Sequence, residues 1–324
     1  MEKKTAFIFP GQGAQYVGMA KDFYDTFAEC RQAVDYAADL LDFNLRGIMF
    51  DENDLINKTE FTQAAMLVAE VCILEGVRRL GIEADVTAGL SLGEYSALVA
   101  CGAMNYGDAV RVVRKRGIYM ENAVPAGRGG MSAIIGMDAE TVEKICADVA
   151  AKTGLCVVPA NYNCPGQIVI SGHKQAVDYA GERFKEAGAK LVAPLNVSGP
   201  FHSPMLAVAG EKLAAELENV TFRDPIKPYV ANVTALPVTT ADGIKESLTR
   251  QVSSPVRWEQ SVRAMLDLGV TDFVEIGPGK TLAGFMKRID RAIPVVTVST
   301  VADLDKLHIN GEINNVGNEK YTNA

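Results

Sequence analysis

Asp85-Val86-Thr87-Ala88-Gly89-Leu90-Ser91-Leu92-Gly93-Glu94-Tyr95-Ser96-Ala97-Leu98 sets out a short β-type run, a Gly-x-Ser-x-Gly turn and the start of a small-residue helix. A strand that meets a helix through such a turn has the pattern of a nucleophile elbow. Glycines at both ends let backbone pass close by, and the serine hydroxyl is left exposed at the tip. The helix that follows aims its N-terminal N–H groups and positive dipole end at the same place, which favours an oxyanion there. An ordinary Gly-rich strand-to-helix turn carries the same letters, so the motif needs partners elsewhere in the chain.

On its N-terminal side lies Thr5-Ala6-Phe7-Ile8-Phe9, a continuous apolar run suited to a strand buried on both faces of a parallel sheet. It stops at Pro10-Gly11-Gln12-Gly13, whose glycines expose backbone N–H groups. Helical patterns cover 16–41 and 61–80, before the elbow strand. Strand, helices, strand, helix in this order predicts an α/β fold around a parallel sheet, with the site at the C-terminal ends of the strands.

The helix predicted over 106–123 places Ala109, Val112, Val113, Arg116 and Met120 on one face. Arg116 thus sits on an otherwise apolar stripe, where a guanidinium needs an anion, because an unpaired buried charge costs several kcal/mol. An internal Asp or Glu would serve, as would a side chain that reaches out to water. Arg111, Arg114 and Lys115 lie off the stripe and are candidates for a local basic docking patch.

After residue 127 the texture changes. Strand 131–135, helix 139–152, strands 156–160 and 167–171, helix 174–187 and strand 190–197 follow one another. This β-α-β-β-α-β order within about 70 residues is the ferredoxin-like pattern. The chain therefore divides into 1–127, the first part of a large α/β domain, and 128–197, an inserted ferredoxin-like subdomain. The large domain resumes over 198–307, and 308–324 form a polar, Asn-rich tail expected to be disordered. The second part holds helix 205–218, strand 228–233, helices 243–252 and 258–268, strand 272–276, helix 282–289 and strand 294–299.

Composition limits the function. The 324 residues are 48% hydrophobic and 22% charged, as in a globular protein with a full core. A net charge of −8 without a basic run argues against nucleic acid as a partner. Met1-Glu2-Lys3-Lys4 leads into a strand without the apolar region of a signal peptide. No apolar run approaches the ~20 residues of a membrane span, so no membrane partner is expected. Cys30, Cys72, Cys101, Cys146, Cys156 and Cys164 form no Cys-x-x-Cys pair, and read as reduced thiols of a cytoplasmic protein rather than as a zinc site or disulfide framework.

A serine nucleophile needs a base, and the chain has three histidines. His308 is in the tail, and His173 follows Ser171-Gly172 at a turn of the inserted subdomain, where a surface position is expected. His202 lies in the Gly/Pro-pinned loop Ser198-Gly199-Pro200-Phe201-His202-Ser203-Pro204, downstream of the serine as in α/β-hydrolase order. Elimination selects His202. A main-chain carbonyl could hold its tautomer as well as a carboxylate could, so a Ser–His dyad is preferred to a triad.

Together these residues make a resemblance. Phe9-Pro10-Gly11-Gln12-Gly13, the Gly-x-Ser-Leu-Gly-Glu-Tyr elbow, Arg116 in Arg-Lys-Arg-Gly and Asn161-Tyr162-Asn163-Cys164-Pro165-Gly166-Gln167 fit one family. Pro200-Phe201-His202-Ser203 and Glu275-Ile276-Gly277-Pro278-Gly279 fit it too. The chain resembles the malonyl-CoA:acyl carrier protein transacylases of bacterial type II fatty-acid synthesis, from about residue 4 to 299. That resemblance implies an α/β-hydrolase-like core with a ferredoxin-like insert. It implies Ser91 as the acylated residue, His202 as its base and Arg116 as the clamp for the malonyl carboxylate. Backbone N–H groups of Gln12 and Leu92 would form the oxyanion hole, and the Gln251 carbonyl would orient His202. Malonyl-CoA would be a substrate and acyl carrier protein the partner, with no cofactor and no metal. The family usually has histidine where this chain has Leu90, which touches the fine tuning of carboxylate binding. Phe201 resembles the residue that accompanies preference for malonyl over methylmalonyl groups. A serine esterase or thioesterase on the same fold, a polyketide acyltransferase acting in trans, and a non-catalytic carrier-binding module are the competing readings.

Overall fold

The computed structural model describes residues 3–307. In chain order the first part runs β1 (Thr5–Phe9), α1 (Lys21–Thr26), α2 (Ala28–Leu40), α3 (Leu45–Phe50), α4 (Thr59–Arg78), β2 (Val86–Gly89), α5 (Gly93–Ala100) and α6 (Tyr106–Asn122). Next come β3 (Gly129–Ile135), α7 (Ala139–Thr153), β4 (Val157–Cys164), β5 (Gln167–His173), α8 (Lys174–Glu186) and β6 (Leu191–Pro194). The chain ends with α9 (Ala207–Leu217), β7 (Tyr229–Val230), β8 (Pro237–Val238), α10 (Ala241–Gln251), α11 (Trp258–Asp267), β9 (Asp272–Ile276), α12 (Thr281–Ile289) and β10 (Val295–Val298).

One sheet has the order β10-β9-β1-β2-β7-β8 and is parallel apart from the β7–β8 pair at its edge. β1 lies in its middle and is wholly buried, which explains why its sequence does not alternate. Phe7 and Phe9 belong to the large core built with α2, α4, α5 and α6, whereas Ala6 and Ile8 face the layer of α11 and α12. Burying each large apolar side chain contributes roughly 1.5–3 kcal/mol. The helical layers therefore hold β1 and β2 fixed, with the loops after them at one end.

β3 to β6 form a separate antiparallel sheet of order β4-β5-β3-β6, backed by α7 and α8 around its own apolar cluster. This is the ferredoxin-like arrangement expected from the element order. A seam joins the antiparallel sheet to the loop between α10 and α11, since the Val256 N–H donates to Ala160 O and the Tyr162 N–H donates to Val256 O. The Asn161–Gln167 motif is thus partly a stitch between the inserted sheet and the large domain.

Several expectations change. The pattern over 16–41 is two helices rather than one. Gly18 and Ala20 have φ of 91° and 60°, which keeps the helix from starting before Lys21. Phe27 is extended and buried, so the helix breaks there and restarts at Ala28. Strand 228–233 shrinks to β7, because the chain turns at Ala231–Ala235, with φ of 55° at Ala235. α3, β8 and the 3₁₀ turns at Leu55–Asn57, Pro204–Leu206 and Val301–Lys306 are additions, too short for periodicity to reveal. The tail expected over 308–324, with His308, lies outside the described residues.

Among the described residues no helix is long and apolar enough to cross a membrane. Among the described residues no group of three or more His, Cys, Asp or Glu side chains is gathered as a metal site. All six cysteines are free thiols.

Candidate active site

Three glycines make the elbow possible. A Cβ on Gly89 would stand 1.9 Å from the Gly93 carbonyl carbon, and one on Gly93 would stand 2.2 Å from Phe9 O. A Cβ on Gly11 would meet Leu90 O at 2.6 Å. The turn therefore packs backbone against backbone, and the β1 loop sits directly over it. Ser91, at the tip, has φ of 55°, a left-handed conformation that costs a non-glycine residue of order 1–3 kcal/mol and must be held by its surroundings.

Asn232 holds it. Its Oδ1 accepts from the Ser91 N–H at 2.6 Å, and its Nδ2 donates to Gly89 O at 2.6 Å, so one buried amide clips both sides of the turn. The chain turn that cuts β7 short delivers this side chain. Sequence reasoning missed Asn232 because an asparagine in a predicted strand carries no sign of a partner 141 residues away.

His202 is buried and stands 2.7 Å from Ser91 Oγ through Nε2. Its Nδ1 lies 2.9 Å from the main-chain carbonyl of Gln251. A carbonyl only accepts, so Nδ1 carries the proton and Nε2 presents its lone pair to the serine. No carboxylate is needed to fix the tautomer, and the arrangement is a dyad. Burial first, and then the Arg116 charge, lower the His202 pKa to about 4, so the imidazole is neutral throughout the neutral range. His202 also has φ of 57°, in a loop pinned where Ser203 Oγ donates to Pro200 O.

Arg116 is completely buried on α6, on the stripe expected of it. Its Nη1 donates to Gln63 Oε1 at 2.7 Å, and its Nη2 donates to Gln251 Oε1 at 2.8 Å and to Ser91 Oγ at 3.1 Å. The Tyr95 ring lies 5.5 Å below the guanidinium. Neither ordinary explanation for a buried arginine applies, since it neither reaches water nor meets a carboxylate at ion-pair distance among the described residues. Its Nε has no hydrogen-bond partner. A cation held by neutral oxygens beside a nucleophilic hydroxyl is a site for an anion. Gln63 was missed too; it lies on α4, which is buried on nearly every side and offers no amphipathic contrast.

Gln251, at the end of α10, connects the parts. Its carbonyl faces His202, and its amide lies between Arg116, the Ser91 carbonyl and Glu94. Neither the Gln12 nor the Leu92 backbone N–H donates to another group among the described residues, and both border the elbow. Gln12 Nε2 donates to Thr59 Oγ1, which is 2.9 Å from Ser198 Oγ. Leu90 is half-buried against the β1 loop, with Cδ2 2.9 Å from the place a Gly11 Cβ would take. An apolar residue here tightens that loop. The Glu275–Gly279 motif buttresses it from the other side, for Gly277 packs on Pro10 and Glu275 accepts from the Leu282 and Ala283 N–H groups at the start of α12.

His173 is set apart. It is half-buried rather than on the surface, and its Nδ1 accepts from the Cys156 N–H within the antiparallel sheet. Arg114, expected off the stripe in solvent, is instead tied to Asp42 and Glu60 and lies over the packed rings of Phe43 and Phe61. Arg111 pairs with Asp108. The groove of about 380 Å³ beside them also carries Asp42, Asp108 and Glu216, so it is not a basic patch.

The acyl transferase domain model matches residues 6–316. The malonyl CoA-acyl carrier protein transacylase of Bacillus subtilis (strain 168) is 46% identical over 297 residues, covering 91% of this chain and 93% of that protein. A crystal structure from Streptococcus pneumoniae superposes with a TM-score of 0.89 at 46% identity, over 94% of this chain and 100% of that one. A malonyl transacylase in complex with a type II polyketide acyl carrier protein superposes with a TM-score of 0.91 at 40% identity, over 94% and 98% of the two chains. The matches run the length of both sheets and take in the elbow, the arginine helix and the histidine loop. On both sequence and architecture, the chain belongs to the acyl transferase domain family, among the malonyl CoA-acyl carrier protein transacylases.

Proposed function

We propose that this protein moves a malonyl group from malonyl-CoA to the phosphopantetheine thiol of acyl carrier protein through an ester on Ser91, in fatty-acid biosynthesis. The observation that carries this reading is Arg116, fully buried, with no carboxylate at ion-pair distance among the described residues and 3.1 Å from Ser91 Oγ. A thioester whose acyl chain ends in a carboxylate fills that vacancy of charge. The family supports the same substrate and the same partner.

In the first half-reaction His202 Nε2 takes the Ser91 proton as Oγ attacks the thioester carbonyl carbon. The negative oxygen of the tetrahedral intermediate is held by the Gln12 and Leu92 N–H groups. The C–S bond then breaks, and His202 returns the proton to the leaving CoA thiolate. In the second half the carrier thiol gives its proton to His202 and attacks the ester, and Ser91 leaves with that proton. Arg116 binds the malonyl carboxylate throughout and sets the acyl chain against Oγ. Malonyl-CoA is a substrate and the chemistry calls on no cofactor. Free thiols throughout the chain support a cytoplasmic setting.

Intact-mass analysis after brief exposure to malonyl-CoA, acetyl-CoA and methylmalonyl-CoA tests the reading. A malonyl adduct that maps to Ser91, is absent from Ser91→Ala and moves to added carrier is the expected result. An adduct on another residue in Ser91→Ala overturns the assignment, and loss of the adduct to water with carrier present favours the hydrolase.

A further inference from the structure

Behind the elbow the structure buries an acidic group that the reaction does not use. Glu94 is the first residue after Gly93 on α5 and is completely buried. Its Oε2 accepts from Gln251 Nε2 at 2.5 Å, and its Oε1 accepts from the Asn232 N–H at 3.3 Å. It thus touches the Gln251 side-chain amide, which also holds Arg116, and the backbone of Asn232, whose side chain clips the elbow.

The donor and acceptor roles along this line are forced. A guanidinium only donates, and a carboxylate only accepts. The Gln251 side chain lies between them, so its nitrogen must face Glu94 and its oxygen must face Arg116. The same nitrogen donates to Ser91 O at 2.7 Å. Reversing the amide would set nitrogen against guanidinium and oxygen against both the carboxylate and the Ser91 carbonyl. We propose that Glu94 is a positioning residue for malonyl selectivity, anchoring the Gln251 amide nitrogen and so the place of the Arg116 guanidinium beside Ser91. This rests on the proposed function of the site, and concerns which acyl group the site prefers.

The groups packed around Glu94 are few. Arg116 faces it from α6, Tyr229 from β7 and Tyr95 from its own helix, with His202 beyond Gln251. Burial pushes Glu94 up to about 7 against the pull of Gln251, Asn232 and Arg116. The two tyrosines are pushed up, away from neutrality, and His202 down to about 4, so Glu94 is the group of this set that titrates between pH 6 and 8.5. A protonated Glu94 can donate as well as accept. Arg116 and the Ser91 carbonyl still set the sense of the amide, but its nitrogen is held less strongly once Glu94 is neutral, so the anchor weakens as the pH falls through 7.

The test compares kcat/KM for malonyl-CoA and acetyl-CoA, with the holo carrier as acceptor, between pH 6 and 8.5 in wild type and Glu94→Gln. Taking the ratio cancels titration of His202 and of the shared CoA phosphates. Wild type should show a malonyl-to-acetyl ratio that falls as pH drops through about 7. Glu94→Gln, equal in shape but able to donate, should have a ratio reduced about ten- to a hundredfold at pH 8 and no longer dependent on pH. Glu94→Asp should recover part of the ratio. Equal losses for both thioesters in a folded Glu94→Gln, or a pH-independent ratio in wild type, overturn the proposal. If Glu94→Gln does not fold, the wild-type pH profile decides. A wild type that loads no malonyl onto the carrier overturns the function of the site instead.

Discussion

Ser91, His202 and Arg116 occupy three corners of one small volume, and each is held in a state it would not adopt alone. The serine is left-handed, the histidine is neutral and dry, and the arginine is charged with no carboxylate at ion-pair distance among the described residues. His202→Ala should lower kcat about 10²–10⁴-fold, the usual contribution of a general acid–base, while His173→Ala leaves it unchanged. The pH dependence follows from burial. With its pKa lowered to about 4 from the ordinary 6.5, His202 remains an unprotonated base as pH falls through 6.5. Inactivation of Ser91 by a neutral phosphonate should therefore persist to pH 5.5 and fail only with a midpoint near 4. A midpoint at 6.5 would mean that the imidazole is solvated. Arg116→Ala should depress kcat/KM for malonyl-CoA by several powers of ten and spare acetyl-CoA, because the wild-type site penalises a substrate that leaves the guanidinium unpaired. Equal losses on both thioesters, in a mutant with native circular dichroism, would make Arg116 structural.

At the scale of elements, the site is the meeting of a strand end, two helix ends and a loop. Backbone contact rather than side-chain packing joins β2 to α5. Gly93→Ala would drive a methyl into Phe9 O and Pro10 O, backbone atoms at the end of the central strand β1 and the start of its loop that have little room to step aside. It should cost about 3 kcal/mol or more and abolish acylation. Gly154 ends α7 with φ of 68° and open space around it, so Gly154→Ala should cost only about 1–2 kcal/mol and leave acylation intact. Urea unfolding measures both, and equal losses would show that the elbow is not the tighter place. The turn after β7 matters for the opposite reason: it is irregular so that Asn232 can point inward.

Across the whole molecule, charge is arranged locally. At −8 the protein repels an acidic partner on average, so carrier binding must use a basic region of the surface. Arg114 is engaged within the protein instead. Its ties to Asp42 and Glu60 join α6 to the loop after α2 and to the start of α4. Arg114→Ala should cost roughly 2 kcal/mol of stability, partly through the lost stacking on Phe43 and Phe61, and leave KM for carrier unchanged. A raised KM with unchanged stability would return Arg114 to the docking surface.

Several features were legible in the sequence because they are local. The elbow is a run of neighbouring residues, β1 is an unbroken apolar segment, and the ferredoxin-like order follows from elements long enough to show their period. Arg116 was legible as an anomaly on an apolar stripe, and His202 by elimination among three histidines. What only the tertiary structure decided are relations between distant residues. Asn232 clips a turn 141 positions away, Gln63 and Gln251 grip Arg116 from two other helices, and Glu94 accepts from an amide 157 positions away. Arg114 reads as a solvated charge until Phe43, Phe61 and Asp42 are folded around it. Periodicity reports which face of an element is buried. It does not report which polar group waits on the other side, because a buried amide or carboxylate is stabilised by partners that the chain brings together only when it folds.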